Sequence, residues 1–436
     1  MDKRILSLII LFPFLSIIAC SDSIDEKEED TLSVKEDTLS VNKTELNLYF
    51  PLLTINTTNA SPIVSKEVYL NAVISIENRN NKGEITEKLF EAETEIKGRG
   101  NTSWTLAKKP YRLKLSKSAE ILGMPKSKHW VLLANYSDKT LMRNQLAFEV
   151  SRRMDFAYTP RNQYVDVILN GDYIGNYLLC EQIRVDKDRV NIPELKPTDA
   201  NITGGYLLEI DGRYGEPEWF KPARADMVFC IKTPEDITAY QKNYIKNYIQ
   251  KIEDILYGKD GINTVTELPK YLDLKSFIDY LLVNELSKNV DGQLHLSTFV
   301  YKNRNDDKLY FGPVWDYDIA FGNVNYLDCE KTSGWRARDA AWYQQFFSHP
   351  EFEKMFNDRW KELRSGKLDD LNPFIDEWAE KMEMSQQNNF KRWPVLDKVV
   401  WFNPILPGSY AGEVGYLKNW LKERLEWMDR QASKTE

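Results

Sequence analysis

"GPVWDYDIAFG", residues 312–322, sets two aspartates, Asp316 and Asp318, among Trp315, Tyr317, Ile319 and Phe321. Apolar surroundings penalise a carboxylate unless something compensates its charge. The pair therefore either points into water or shares a cation. Residues two apart in an extended segment project to the same side, so either or both can ligate one ion.

Outward from this stretch the pattern is helical. Upstream, "FVYKN" and "KLYFGPVWD" read as strands around a polar "RNDD" turn. Before them come two helices, "YQKNYIKNYIQKIEDILYG" and "DLKSFIDYLLVNELSKN". The first aligns Tyr244, Tyr248, Ile252 and Leu256 in one stripe. Residues 340–385 and 410–432 are again helical.

The other half is strand-rich. "YFPLLTINT", "YLNAVISIEN" and "GGYLLEID" read as strands. In "KKPYRLKLSK", Tyr111, Leu113 and Leu115 alternate with Arg112, Lys114 and Ser116, giving an apolar face and a cationic one. Asp138 caps the helix "KTLMRNQLAFEVSRRM", whose buried stripe is Met142, Leu146 and Val150. "YVDVILNGDYIGNYLLCEQI" is a hairpin around Asn170-Gly171. The expected class is α+β, with a boundary near residues 190–235.

Of the 436 residues, 42% are hydrophobic and 12% aromatic, enough for a sizeable core. The net charge of −8 supplies no basic field for nucleic acid. The start is different. "MDKR", an apolar run and "IIAC" form an export signal over residues 1–19, with Cys20 as the candidate lipidated residue of a lipobox-like end. Residues 20–44 read as a disordered acidic tether, in which "EDTLSVK" is followed by "EDTLSVN". Lipidation would anchor the chain to the cell envelope, at the outer membrane and facing outward, rather than make it span. Cys180, Cys230 and Cys329 are odd in number and widely spaced, so buried thiols are expected rather than a disulfide framework.

Four stretches occur in order: "IKGRGNTSW" with "KKPYRLKL", "LNGDYIGNYLLCEQI", "NELSKNVDG" and "GPVWDYDIAFG". Together they resemble the spore-coat protein H (CotH) kinase-like family over about residues 45–430. The resemblance implies a bilobal atypical protein-kinase-like fold, with an N-lobe at about 45–190 and a C-lobe at about 205–430. It also implies ATP with Mg²⁺ as cofactors and transfer of the γ-phosphate to hydroxyls of a protein substrate. Phosphoryl transfer needs positioned phosphates and neutralised charge more than covalent help.

By the same resemblance, Asp291 orients the acceptor hydroxyl or holds a metal, and Asp316 and Asp318 hold Mg²⁺. Gly98, Arg99, Gly100 and Asn101 form the phosphate-facing loop. Lys114 contacts phosphate, with Arg112 as its substitute and Glu149 as its partner across the cleft. Glu181 lies near the adenine site. One departure stands out: protein kinases hold a second Mg²⁺ with an Asn five residues after the catalytic-loop Asp, and Leu296 occupies that place. Asp318, Ser297 or water then supplies the oxygen, or one metal binds, or the chain is inactive. His295 nearby reads as structural. The leading expectation is an exported, lipid-anchored kinase. The alternative is an inactive surface protein that binds a protein or glycan, with Trp104, Trp219, Trp335 and Trp342 as candidate platforms. A metal-dependent hydrolase finds no paired-histidine or nucleophile motif in support.

Overall fold

A computed structural model describes residues 49–435. The proposed signal, Cys20 and the tether fall outside the described residues. Seven strands form a closed barrel: β1 (Leu52–Thr57), β2 (Leu70–Arg79), β3 (Ile85–Gly98), β4 (Tyr111–Ile121), β5 (Met124–Leu133), β6 (Asn162–Leu169) and β7 (Asp172–Glu181). The strand order is β1-β2-β3-β4-β5-β7-β6, and β1 pairs in parallel with β6 to close it. Closure removes the free edges that an open sheet would have to protect. Alternation fills the interior: Tyr111, Leu113 and Leu115 of β4 point inward with Ile55, Ile76, Ile96, Trp130, Val167 and Leu179. The Asn170-Gly171 turn joins β6 to β7, and both residues have positive φ, 51° and 84°.

Two short helices interrupt the strands: α1 (Thr102–Thr105) and α2 (Arg143–Arg153). Met142, Leu146 and Val150 are fully buried, as their spacing predicts. The helix starts later than expected because Leu141 is left-handed at φ 62°. Asp138 still serves its beginning: one carboxylate oxygen accepts from the Arg143 amide at 2.7 Å and the other from the Arg143 guanidinium at 2.5 Å. The stripe of α2 belongs to the core of the helical half, together with the outward-facing Val131, Leu133, Leu178 and Cys180 of the barrel.

The second sheet runs β12-β11-β8-β10-β9, from β8 (Tyr206–Ile210), β9 (Trp219–Phe220), β10 (Phe229–Thr233), β11 (Thr298–Lys302) and β12 (Leu309–Phe311). Around it pack α3 (Ala239–Leu256), α4 (Thr264–Tyr271), α5 (Leu274–Ser287), α6 (Ala341–Phe346), α7 (Pro350–Arg364), α8 (Asn372–Lys381), α9 (Glu383–Arg392) and α10 (Tyr410–Ala432). The buried line of α3 is Ile245, Ile249, Ile252 and Leu256; Tyr244 and Tyr248 are only half-buried, so the stripe sits one position round from the expected one. Phenol groups hold those two tyrosines at the border, where Tyr248 Oη donates to the Tyr271 carbonyl at 2.9 Å.

The mixed α/β class, strand-rich first and helical later, matches the sequence-based expectation, with a closed barrel as the form of the strand-rich part. Cys180, Cys230 and Cys329 are free and buried. Among the described residues no helix is long and apolar enough to cross a membrane.

Candidate active site

A cavity of about 570 Å³ brings together the 98–101 loop, Lys97, Arg112, Ser137, Glu209, Asp211, Arg213, Lys232, Asp291, Ser297, Asp316 and Asp318. Three motifs more than 190 residues apart in sequence at their extremes thus share one space.

The acid side is braced from behind. Tyr317 is fully buried between the two aspartates. Its amide donates to Asn144 Oδ1 of α2 at 2.8 Å, and its hydroxyl to Asn284 Oδ1 of α5 at 3.1 Å. With Tyr317 pinned in the core, Asp316 and Asp318 both turn to the cavity. Asp316 sits in the left-handed region at φ 72°, which Asp tolerates better than most residues. Ser297 Oγ donates to Asp316 and Ser137 Oγ to Asp318, each at 3.1 Å. Asp291 follows α5, with its amide bonded to Asn289 Oδ1 at 3.2 Å. Burial pushes the Asp291 carboxyl up to about 7, and the Asp316 charge adds to this, while Arg213, 3.8 Å away, opposes it. Burial and then Asp316 likewise push Asp318 up to about 7.

The cation side comes from the barrel. Lys97 and Arg112 face one another across the β3–β4 ladder. Burial, then Arg112, lowers the Lys97 ammonium below its usual range. Arg99 lies over the Trp315 ring at 5.4 Å. The Nε atoms of Arg99 and Arg112 are buried without a hydrogen-bond partner. None of the three cations makes an ion pair among the described residues. Two glycines shape the loop for steric reasons: a Cβ on Gly98 would meet the Trp104 ring at 2.4 Å, and Gly100 has φ 83°.

A family model described as CotH kinase protein matches residues 96–428. The chain belongs to the CotH kinase family. No curated protein matches it. Family membership makes the protein kinase-like and points in general to use of a nucleotide and a divalent metal. In this CotH-family chain the residues fit both groups. The Asp316 charge adds to burial in raising the proton affinity of Asp291 and Asp318, and carboxylates crowded in this way suit a cation. Partnerless buried guanidinium nitrogens suit phosphate oxygens. The acids do not form a preassembled cage: among the described residues no three metal-ligating side chains cluster.

Three residues expected at the site lie outside its lining. Lys114 is on the same strand face as Arg112, but two residues along. It pairs with Glu95, its cross-strand neighbour, at 2.8 Å. Glu149 does not meet Lys114. It bonds Arg152 at 3.2 Å and Arg153 at 2.8 Å on its own helix. Glu181 is fully buried and accepts from Tyr158 Oη at 3.1 Å and the Arg161 amide at 3.0 Å, a structural anchor. His295 is exposed, lies beside Gly212 and accepts the Gly212 amide on its carbonyl at 2.8 Å.

The sequence reading missed Lys97, Glu209, Asp211, Arg213 and Lys232. Lys232 sits between Glu209 at 3.3 Å and Glu216; burial opposes its charge, but the two carboxylates outweigh it and raise its pKa. Arg213 bridges Asp211 at 3.6 Å to Asp291. The signal was "EIDGRYGE", a run of alternating charge leaving a strand, where only the strand was read. Of the four tryptophans considered as platforms, Trp342 is fully buried and Trp219 is 40% exposed. Trp104 packs at Gly98 and Trp335 against Trp427.

Proposed function

We propose that this CotH-family protein is a phosphotransferase that uses a nucleoside triphosphate, ATP, with Mg²⁺, to phosphorylate side-chain hydroxyls of a protein. The observation that carries the reading is the polarised cavity: on the barrel side Lys97, Arg99 and Arg112, which make no ion pair among the described residues, share it with the carboxylates of Asp291, Asp316 and Asp318. Bound there, the metal–nucleotide supplies a transferable phosphoryl group whose charge the metal offsets. Asp316 and Asp318 hold the cation. Arg99, Arg112 and Lys97 neutralise phosphate oxygens. Asp291, with a proton affinity near neutrality, accepts the acceptor's hydroxyl proton and is kept in place by Arg213. The strand-rich and helical parts correspond in this reading to two kinase lobes, with the barrel as the first. The sequence alone supports export and lipid anchoring at Cys20.

Calorimetry of residues 21–436 with ATP should give Mg²⁺-dependent binding that Asp316→Ala removes. Labelled-phosphate transfer should be lost in Asp291→Ala while ATP binding persists. A protein that binds no nucleotide in the presence of Mg²⁺ sinks the reading. Leu296 in place of a metal-ligating Asn, together with the uncaged acids, favours the second reading, an inactive surface protein that binds a partner. Nucleotide binding without transfer to any acceptor selects it.

A further inference from the structure

At one rim of the cavity two loops from distant parts of the chain meet. Tyr326 and Trp401 line the cavity itself. Their chain neighbours Leu327 and Phe402 are exposed at 59% and 54%. The Asn325 amide donates to the Phe402 carbonyl at 3.1 Å, and Phe402 lies edge-on to Tyr326 at 5.7 Å and to Trp401 at 5.6 Å. The patch is tied to the reacting end of the cavity. Asn403 Nδ2 donates to the Ser137 carbonyl and to Asn323 Oδ1, each at 3.0 Å. Ser137 is the residue that donates to Asp318.

Leu327, Trp401 and Phe402 all adopt left-handed backbone, at φ 56°, 51° and 57°. Bulky residues avoid that region, and the Asn325–Phe402 backbone bond ties the two loops that hold them. Exposed apolar clusters rimmed by polar groups mark interaction sites. The charged far end of the cavity is different: Glu209, Glu216 and Asp211 are each matched with Lys232 or Arg213. The rim formed by Tyr326, Trp401 and Phe402 is instead aromatic.

We propose that this patch docks the phosphate acceptor, an extended peptide segment whose hydroxyl residue is flanked by aliphatic side chains. The proposal rests on the phosphotransfer reading and adds the substrate class. Continuity decides the occupant: Tyr326 and Trp401 belong to patch and cavity alike, so a chain lying on the patch presents its next residues to Asp291 and Asp318. Glu209, Glu216 and Asp211 are already paired, so the patch itself offers flanking residues apolar contact rather than charge.

The test uses residues 21–436 and two fluorescent peptides, one with Ser between Leu and Val residues, the other with Ser between Lys residues. Fluorescence polarisation reads peptide binding without requiring any transfer. The aliphatic peptide should bind at least tenfold tighter. Phe402→Asp and Leu327→Asp, both at exposed positions, should each remove that preference. In transfer assays they should raise KM for the aliphatic peptide about tenfold, leaving kcat and ATP affinity unchanged. Equal binding of both peptides, or a preference that survives both variants, overturns the docking surface. Patch-dependent sedimentation with phosphatidylglycerol vesicles and no peptide preference overturns it in favour of a membrane contact. Peptide preference without nucleotide binding keeps the docking surface and rejects the phosphotransfer reading.

Discussion

The two sides of the cavity are built on opposite plans. The acid side is short side chains on a pinned backbone: Tyr317 is bonded to α2 and α5, and each aspartate has a serine partner. The cation side is long side chains on a barrel rim, with two guanidinium nitrogens lacking partners. Placement of carboxylates for a small hard ion must be set in advance. Phosphate oxygens spread over several ångströms, so flexible guanidinium groups can find them on binding. On the phosphotransfer reading, the difference separates residues whose loss should end nucleotide binding from residues whose loss should weaken it.

The largest effect tests the pinned side. Asp316→Ala should lower Mg²⁺–ATP affinity by about 100-fold or more, since even outer-shell changes cost 10–100-fold, with calorimetry as the measurement. Comparable affinity with and without the carboxylate breaks the distinction. Next is a contrast of place rather than chemistry. Glu181→Ala leaves Arg189, 3.7 Å away and buried, without its carboxylate. It should lower stability by roughly 3–5 kcal/mol, read from denaturant midpoints, without changing ATP affinity of the folded protein. Arg112→Ala removes one charge-assisted contact and should weaken ATP binding by roughly 10–100-fold, or about 1.5–3 kcal/mol. Lys114→Ala should leave it unchanged. The reverse pattern would restore Lys114 to the site.

The pH dependence sharpens the acid side further. Asp291 and Asp318 are both held up to about 7. Protonated carboxylates do not ligate, so Mg²⁺ affinity should rise as pH increases through 7 and flatten above it. The metal-free fold responds with the opposite sign. Between the unfolded carboxylate range and about 7 the folded state binds more protons, so the stability these two groups contribute is lost as pH rises through that window. Thermal unfolding with and without Mg²⁺ at pH 5.5 and 8 reads both trends. The smallest effect belongs to Glu149→Ala. Its helix-surface pairs are worth about 0.3–0.5 kcal/mol, and nucleotide binding should not change.

Much of the fold was readable because it is local. The Asn170-Gly171 turn, the alternation through Tyr111–Leu115 and the Met142–Leu146–Val150 stripe all express backbone periods. β3 and β5 were not read as strands. β3 carries Glu91, Glu93 and Glu95 on one face, and only Phe90, Ala92 and Ile96 of the other are apolar, with Thr94 among them. Barrel closure was also hidden. It depends on Leu52–Ile55 pairing with Asp166–Leu169, a contact that neither segment announces.

The site divides in the same way. The sequence by itself determined the three aspartates and the glycine loop as candidates, because they stand in short motifs that resemble those of the CotH family. Only the tertiary structure decided which cations join them. Arg112 and Lys114 are alike in type and face, and the register that sets Lys97 opposite one and Glu95 opposite the other separates them. It also brought in Arg213, Lys232 and the Tyr326–Trp401 rim. Charge compensation acts through space over a few ångströms, and the chain's order does not record which distant residues will lie that close.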